Sequence, residues 1–365
     1  MAWRAAADCG VTRLAEVTRL DRIGLPVWQA IRPMSRALSV HQGKGATDTD
    51  AQLGALLEAV ESHHAEQFVH ERATCRFDEL SHRARPPVLA DFARDRREPP
   101  APDAPHRWSE ATNIVSGEPF YLPFELVSLD LSRDLPSAFD RASDGLAAGS
   151  SREEAISVAI HEIIERDAVA AWLRRGLVSR TADALDIGAI DLDWFRGWAA
   201  RIEAAGAGLG AYYLSSVTGT PVVVCEISDF DKTGDCYRAV HGSGCHPHPE
   251  LALFKALTEA IQSRATMIAG AREDLFPSDY VRKGEGAFLL ALPASPMLPQ
   301  RSWLDVASGP VGVEAVVAVL AEAGYDQVAV RTLGTPEGLH VVKAFVCGLG
   351  ARERSRRPIQ GRDPK

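Results

Sequence analysis

The 365-residue sequence has no run of about 18 apolar residues, and VRKGEGAFLLALPAS is too short and too interrupted to span a bilayer. A membrane-spanning helix is therefore not expected. The N-terminus, MAWRAAADCGVTR, lacks the apolar core of a secretory signal. Cysteine is sparse and unpaired in spacing: Cys9, Cys75, Cys225, Cys236, Cys245 and Cys347 contain no CxxC. That excludes a disulfide framework and a zinc ribbon, and it fits a reducing, cytoplasmic compartment. Positive charge is also in deficit. A formal net charge of −9 argues against a general nucleic-acid binder. It leaves a polyphosphate open, provided a divalent cation stands between carboxylates and phosphates. GxxxxGK[ST] and GxSxG are both missing, so neither a Walker A loop nor a nucleophile elbow is present.

What is present is an ordinary globular composition, 46% hydrophobic and 24% charged, with mixed α/β patterning. Residues 12–32 read as two strands around a turn at Asp21–Gly24, followed by a Gly-flanked turn at Gly43–Gly45. Helical spacing runs from Asp50 to about Val69. Residues 81–125, rich in Pro, Arg and Asp, read as a surface excursion with little regular structure, and Leu126–Leu129 as a short strand. RASDGLAAGS (141–150) reads as a turn-rich loop before a helix over Arg152–Leu173, capped by Ser150 or Ser151. Further helices are expected near 194–206, 249–271 and 312–323. Strands are expected at YYLSSV, PVVVCEIS, 327–332 and Val341–Cys347. No short-period repeat is visible. The expected organisation is a single domain over 1–365, with a C-terminal α/β segment at about 305–350.

The acidic helices carry the chemistry. Glu58 and Glu61 are spaced i,i+3 and share a helix side. Glu154, Glu162 and Glu165 fall at about 0°, 80° and 20° around the next long helix, within one face. Carboxylates brought together raise one another's pKa unless a cation compensates, and Mg²⁺ prefers such oxygen ligands. The same spacing also suits a solvated helix face. Gly43-Lys44-Gly45 suits a phosphate contact or an ordinary turn. Cys245, His246 and His248 lack a fourth metal ligand at a familiar spacing.

Three segments, GVTRLAEVTRLDRIGLPVWQAIRP with LSVHQGKGATDTDAQLGALLEAVESHHAEQF, SDGLAAGSSREEAISVAIHEIIERDAVAAW, and ALTEAIQSRATMIAGAREDL, together resemble the YcaO family. The resemblance implies a YcaO-type fold, with long glutamate-bearing helices packed on antiparallel or mixed sheets. It implies ATP and Mg²⁺ as cofactors. Glu58, Glu61, Glu154, Glu162 and Glu165 would hold Mg²⁺ and the phosphates, with Arg166 on phosphate or carboxylates. Lys44 would lie near the nucleotide, and Arg264 would contact phosphate or support carboxylates. The implied reaction is phosphorylation of a peptide amide oxygen after a nucleophile adds to the amide carbon. Departures from the family pattern are Gly54 where Ser is common, Ser62 after Glu61, and Asp144 in SDG. No fused N-terminal domain or proline-alternating C-terminus accompanies the match. The phrasing SRALSVHQGKG…EAVESHHAE is similar to members that act in thioamidation with a TfuA-type partner and a sulfur donor. Azoline cyclodehydration, or a non-enzymatic partner role, are the alternatives. A peptide or protein substrate and a homodimer are expected; nucleic acid and membrane are not.

Overall fold

A computed structural model describes residues 1–69, 74–80, 86, 89–92, 100–132, 139, 141–230, 236–280 and 301–350. The chain opens with helix α1 (Ala2–Asp8). Strands β1 (Arg13–Glu16), β2 (Val27–Ile31) and β3 (Val40–Lys44) form an antiparallel sheet and feed helix α2 (Asp48–Gln67). Two short strands, β4 (Cys75–Arg76) and β5 (Pro105–His106), pair with each other. Next come β6 (Trp108–Asn113), β7 (Pro119–Pro123), the one-turn helix α3 (Phe124–Val127) and β8 (Leu146–Gly149), which leads into helix α4 (Arg152–Leu173). Helices α5 (Leu177–Thr181) and α6 (Asp193–Ala204) precede a second antiparallel sheet of β9 (Ala207–Leu214), β10 (Val222–Phe230) and β11 (Cys236–Cys245). That sheet feeds helix α7 (Pro249–Ala269). After helix α8 (Val313–Glu322), strands β12 (Val328–Gly334) and β13 (His340–Val346) complete a five-stranded sheet of order β7-β6-β12-β13-β8. The result is a mixed α/β fold whose named strands, among the described residues, pair antiparallel.

The long helices start where their caps dictate. Thr47 forms a capping box with Asp50, and the Ser151 side chain accepts from the Glu154 amide. Pro249 occupies the first turn of α7, which ends at Gly270 in the left-handed region. Alanines face the sheets: Ala51 and Ala55 on α2, Ala155 and Ala159 on α4, and Ala252 and Ala256 on α7 are all fully buried. Small faces let strand and helix backbones approach. A Cβ at Gly43 would lie 1.9 Å from the Ala51 carbonyl oxygen, and one at Gly244 would lie 2.3 Å from that of Ala252. Only glycine fits at either place.

Three strand–helix units therefore recur: β3–α2, β8–α4 and β11–α7. In register, their helices read Ala55-Leu56-Leu57-Glu58, Ala159-Ile160-His161-Glu162 and Ala256-Leu257-Thr258-Glu259. The N-caps Thr47, Ser151 and His248 precede those glutamates at one common spacing. This is a long-period repeat that a search for short periods passes over.

Several expectations are corrected. Gly43 and Lys44 are not a turn; they close strand β3, whose glycine is required by contact with α2. Residues 105–123 are not an excursion but hold three strands, with Trp108 fully buried and its Nε1 donating to the Cys75 carbonyl at 3.0 Å. Their polar composition masks this. Residues 81–85, 87–88 and 93–99 of that stretch lie outside the described residues. Leu126–Leu129 is not a strand, since Leu126 and Val127 finish α3. Within 141–150, Leu146–Gly149 is a strand made of residues too small to signal one.

Candidate active site

The helices of the three units converge with their glutamates inward, and strand amides hold each carboxylate. Each first glutamate accepts from its own unit's strand or the turn before it. Glu58 Oε2 accepts from the Gln42 amide at 2.6 Å, Glu162 Oε2 from the Gly145 amide at 2.9 Å, and Glu259 Oε1 from the Ser243 amide at 3.5 Å. The residue one turn further on reaches the next unit instead. Glu61 Oε1 accepts from the Ala148 amide of β8 at 2.7 Å. Glu165 accepts from Ser243 Oγ at 2.7 Å and from the Cys245 amide of β11 at 2.9 Å. Gln262 Nε2 donates to Gln42 Oε1 of β3 at 3.4 Å, which closes the circle. Four sequence-expected carboxylates, Glu58, Glu61, Glu162 and Glu165, thus stand in one ring.

The ring is electrostatically loaded. Enclosure by protein pushes the Glu58 carboxyl above the usual carboxylate range. It pushes Glu61 well above, with Glu58 and Glu162 adding repulsion. Glu162 rises to about 7, because desolvation and the charges of Asp144 and Glu165 outweigh the attraction of Arg166. Cations interleave: Lys44 Nζ lies 3.0 Å from Glu259, and Arg166 lies 3.5 Å from Glu162 and 4.0 Å from Asp144. Burial would raise Glu259, but the Lys44 ammonium prevails and its carboxyl lies below the usual range.

A cleft of about 520 Å³ opens on this ring, lined among others by Gln42, Lys44, Glu58, Arg166, Glu259 and Arg272. That volume suits a nucleotide-sized ligand. Gln42 is 5% exposed, and its Nε2 is buried with no hydrogen-bond partner. It is a donor awaiting an acceptor oxygen. Among the described residues, no three His, Cys, Asp or Glu side chains converge closely enough to cage a metal by themselves. Mg²⁺ needs no such cage: it usually takes one or two carboxylates and completes its shell with water and phosphate oxygens. Hard carboxylate oxygens beside Lys44, Arg166, Arg272 and the Gln42 amide fit a Mg²⁺–polyphosphate.

Two expected residues lie apart. Glu154 occupies the exposed first turn of α4, where its carboxylate accepts from the Ser150 amide at 2.8 Å and from Ser150 Oγ at 2.5 Å. It shares a face with Glu162 but stands about 12 Å away along the helix axis. Arg264 does not line the cleft. It is buried between Asp21, at 3.0 Å, and Asp229, on a separate cavity of about 320 Å³. The carboxylates it supports are these two, not the ring's. The His246 and His248 rings stand 5.4 Å apart without forming a metal group. Glu259, Gln262, Gln42 and Arg272 escaped the sequence reading. The signal for Glu259 was available in the repeated Ala-x-x-Glu register.

Strand-fed helices that interleave carboxylates and cations around one cleft fit a nucleotide-using enzyme. The chain belongs to the YcaO family: the pattern described as "YcaO cyclodehydratase, ATP-ad Mg2+-binding" matches residues 42–350. A protein of Methanothermobacter thermautotrophicus is 32% identical over 355 residues, covering 93% of this chain and 90% of the relative. A protein named for the tfuA 3' region of Rhizobium leguminosarum bv. trifolii is 34% identical, covering 77% of this chain and 68% of the relative. Among solved structures, a heterocyclase in complex with substrate and cofactor superposes with a TM-score of 0.75 at 22% identity, over 95% of this chain and 52% of that one. YcaO from Methanopyrus kandleri, bound with AMPPCP and Mg²⁺, gives a TM-score of 0.68 at 24% identity, over 95% and 88%. These likenesses confirm the fold expected from sequence. Family membership makes the chain an ATP- and Mg²⁺-dependent enzyme of peptide modification. No helix among the described residues is long and apolar enough to cross a membrane.

Proposed function

We propose that this enzyme phosphorylates a backbone amide oxygen of a peptide so that sulfur can replace it, acting with a TfuA-type partner. The observation that carries the thioamide assignment is the 34% identity to the protein from a tfuA 3' region. The site reading rests on the ring. Glu58, Glu61, Glu162 and Glu165 hold Mg²⁺, while Lys44, Arg166, Arg272 and the Gln42 amide face the phosphates. Glu154 serves only the rim.

The chemistry follows from the amide's weakness as an electrophile. Its oxygen leaves poorly, whereas the same oxygen carried on phosphate leaves well. Mg²⁺ held by these carboxylates would supply the positive charge that the transferring phosphoryl group needs. The chain's own residues align that group: the backbone amides fix the carboxylates, and the cationic side chains stabilise the charge that develops.

The test is incubation of the purified protein with ATP, Mg²⁺, sulfide and candidate peptides, with and without a TfuA-type protein. A product heavier by the exchange of one oxygen for one sulfur supports the proposal. Loss of one water per modification would replace it with azoline formation, the reaction in the family description.

A further inference from the structure

The three-unit ring assigns a role to Glu259 and a second one to Lys44. Glu58, Glu162 and Glu259 hold equivalent places: same helix register, same inward face, each carboxylate on an amide of its own unit. Two of the three belong to the proposed cation-holding set. The third differs in one respect, which is that a lysine sits on it at 3.0 Å.

That lysine comes from the neighbouring unit. Lys44 is the counterpart in β3 of Ala148 in β8 and Cys245 in β11, the residues whose amides hold Glu61 and Glu165. At the third junction the equivalent residue turns a side-chain ammonium toward the ring instead. A lysine ammonium is a compact charge on a flexible stem, able to leave when a stronger cation arrives. We propose that Glu259, the third of these equivalent glutamates, is a fifth cation-holding carboxylate of this site and that Lys44 is a built-in substitute for the cation. When a divalent ion takes Glu259, the Lys44 ammonium is freed into the cleft beside the unpartnered Gln42 Nε2. Both donors then face the place where phosphate oxygens would lie. The exchange breaks no covalent bond, and the positive charge it adds to the cleft is what phosphate oxygens would offset. This inference rests on the Mg²⁺–ATP reading of the ring.

Manganese binding to the full chain without nucleotide, followed by electron paramagnetic resonance, tests it. Lys44→Met is expected to tighten Mn²⁺ about tenfold, because a competing positive charge is removed. Glu259→Gln is expected to weaken it by a similar factor, and Lys44→Met with Glu259→Gln to lose the gain. A misfolded variant cannot mimic tighter binding, so the lysine arm stands independently of stability. Unchanged or weaker binding by Lys44→Met overturns the inference, as does a double variant that keeps the gain. In the same assay, Glu162→Gln with Glu165→Gln separates the two readings. If that pair leaves Mn²⁺ binding intact, the ring is not the cation site at all. If the pair abolishes binding while Lys44→Met changes nothing, only the substitution of lysine for cation fails.

Discussion

Helix α2 carries two acids that meet opposite treatment. Glu66, 1% exposed, receives the Arg32 guanidinium at 3.2 and 2.9 Å and the Ser35 hydroxyl at 2.6 Å. Burial would raise its pKa, but Arg32 and Ser35 hold it below the usual range. Glu61, further up the helix, receives a single backbone amide and stays well above that range. The Arg264 site repeats the first pattern with Asp21 and Asp229, and Glu162 repeats the second. Acids that serve the fold are neutralised by the protein itself. The acids of the proposed site, Glu61 and Glu162, are positioned by backbone amides, and on that proposal their charge is left for a cation to settle.

The contrast fails if either set behaves like the other. Glu162→Ala with Glu165→Ala is expected to reduce ATP turnover at least about a thousandfold, with the melting temperature unchanged or raised, because repulsion is relieved. Turnover that survives would dissolve the ligand set. Arg264→Ala should do the reverse, destabilising by about 3–5 kcal/mol, because Asp21 loses its guanidinium and Asp229 keeps only the longer pair with Arg238 at 3.9 Å. Calorimetric titration of Mg²⁺–ATP into the folded variant should show near-normal affinity; lost affinity at normal stability would return Arg264 to the nucleotide.

The pH dependence separates the sets by sign. Burial and the Arg32 charge lower His41 to about 4. Its stabilising contribution is therefore complete above pH 6.5 and is lost as pH falls toward 4. Glu162, raised to about 7, contributes below pH 4.5 and loses that contribution as pH rises through 7. Urea midpoints measured from pH 4 to 8 should reveal both slopes, and His41→Gln should flatten only the acidic one, leaving the part that Glu66 contributes. Mg²⁺–ATP should offset only the slope near neutrality. The smallest effect belongs to the caps: Thr47→Ala and Ser151→Ala should each cost about 1 kcal/mol in chemical unfolding.

Much of this was legible because long helices advertise themselves. The α4 boundaries follow from the Ser151 cap and the apolar spacing of Ile156, Ile160, Ile163 and Ile164. Glu58, Glu61, Glu162 and Glu165 were visible for the same reason. Glu154 lies on the face that periodicity assigns it, at the exposed start of α4, a height along the helix that angles alone do not supply. Strand β8 was hidden because Ala147, Ala148 and Gly149 have no β-forming signature. Its strand character comes from its neighbour β13 and from Ile163 and Ala155 packed over it. Arg264 does support carboxylates, but that they are Asp21 and Asp229 is invisible in the sequence, because both lie far away along the chain.

The circular hand-over from one unit to the next also sets a schedule for maturation. The last contacts of the ring join Gln42 to Gln262, and Lys44 to Glu259, across most of the polypeptide. A chain emerging from the ribosome holds Glu58 and Gln42 early, yet it cannot close the ring until α7 has been made and docked. Contacts of such long sequence separation form late and slowly. A nucleotide that binds only the closed ring would discriminate finished molecules from partly folded ones and, by mass action, hold the finished ones in place.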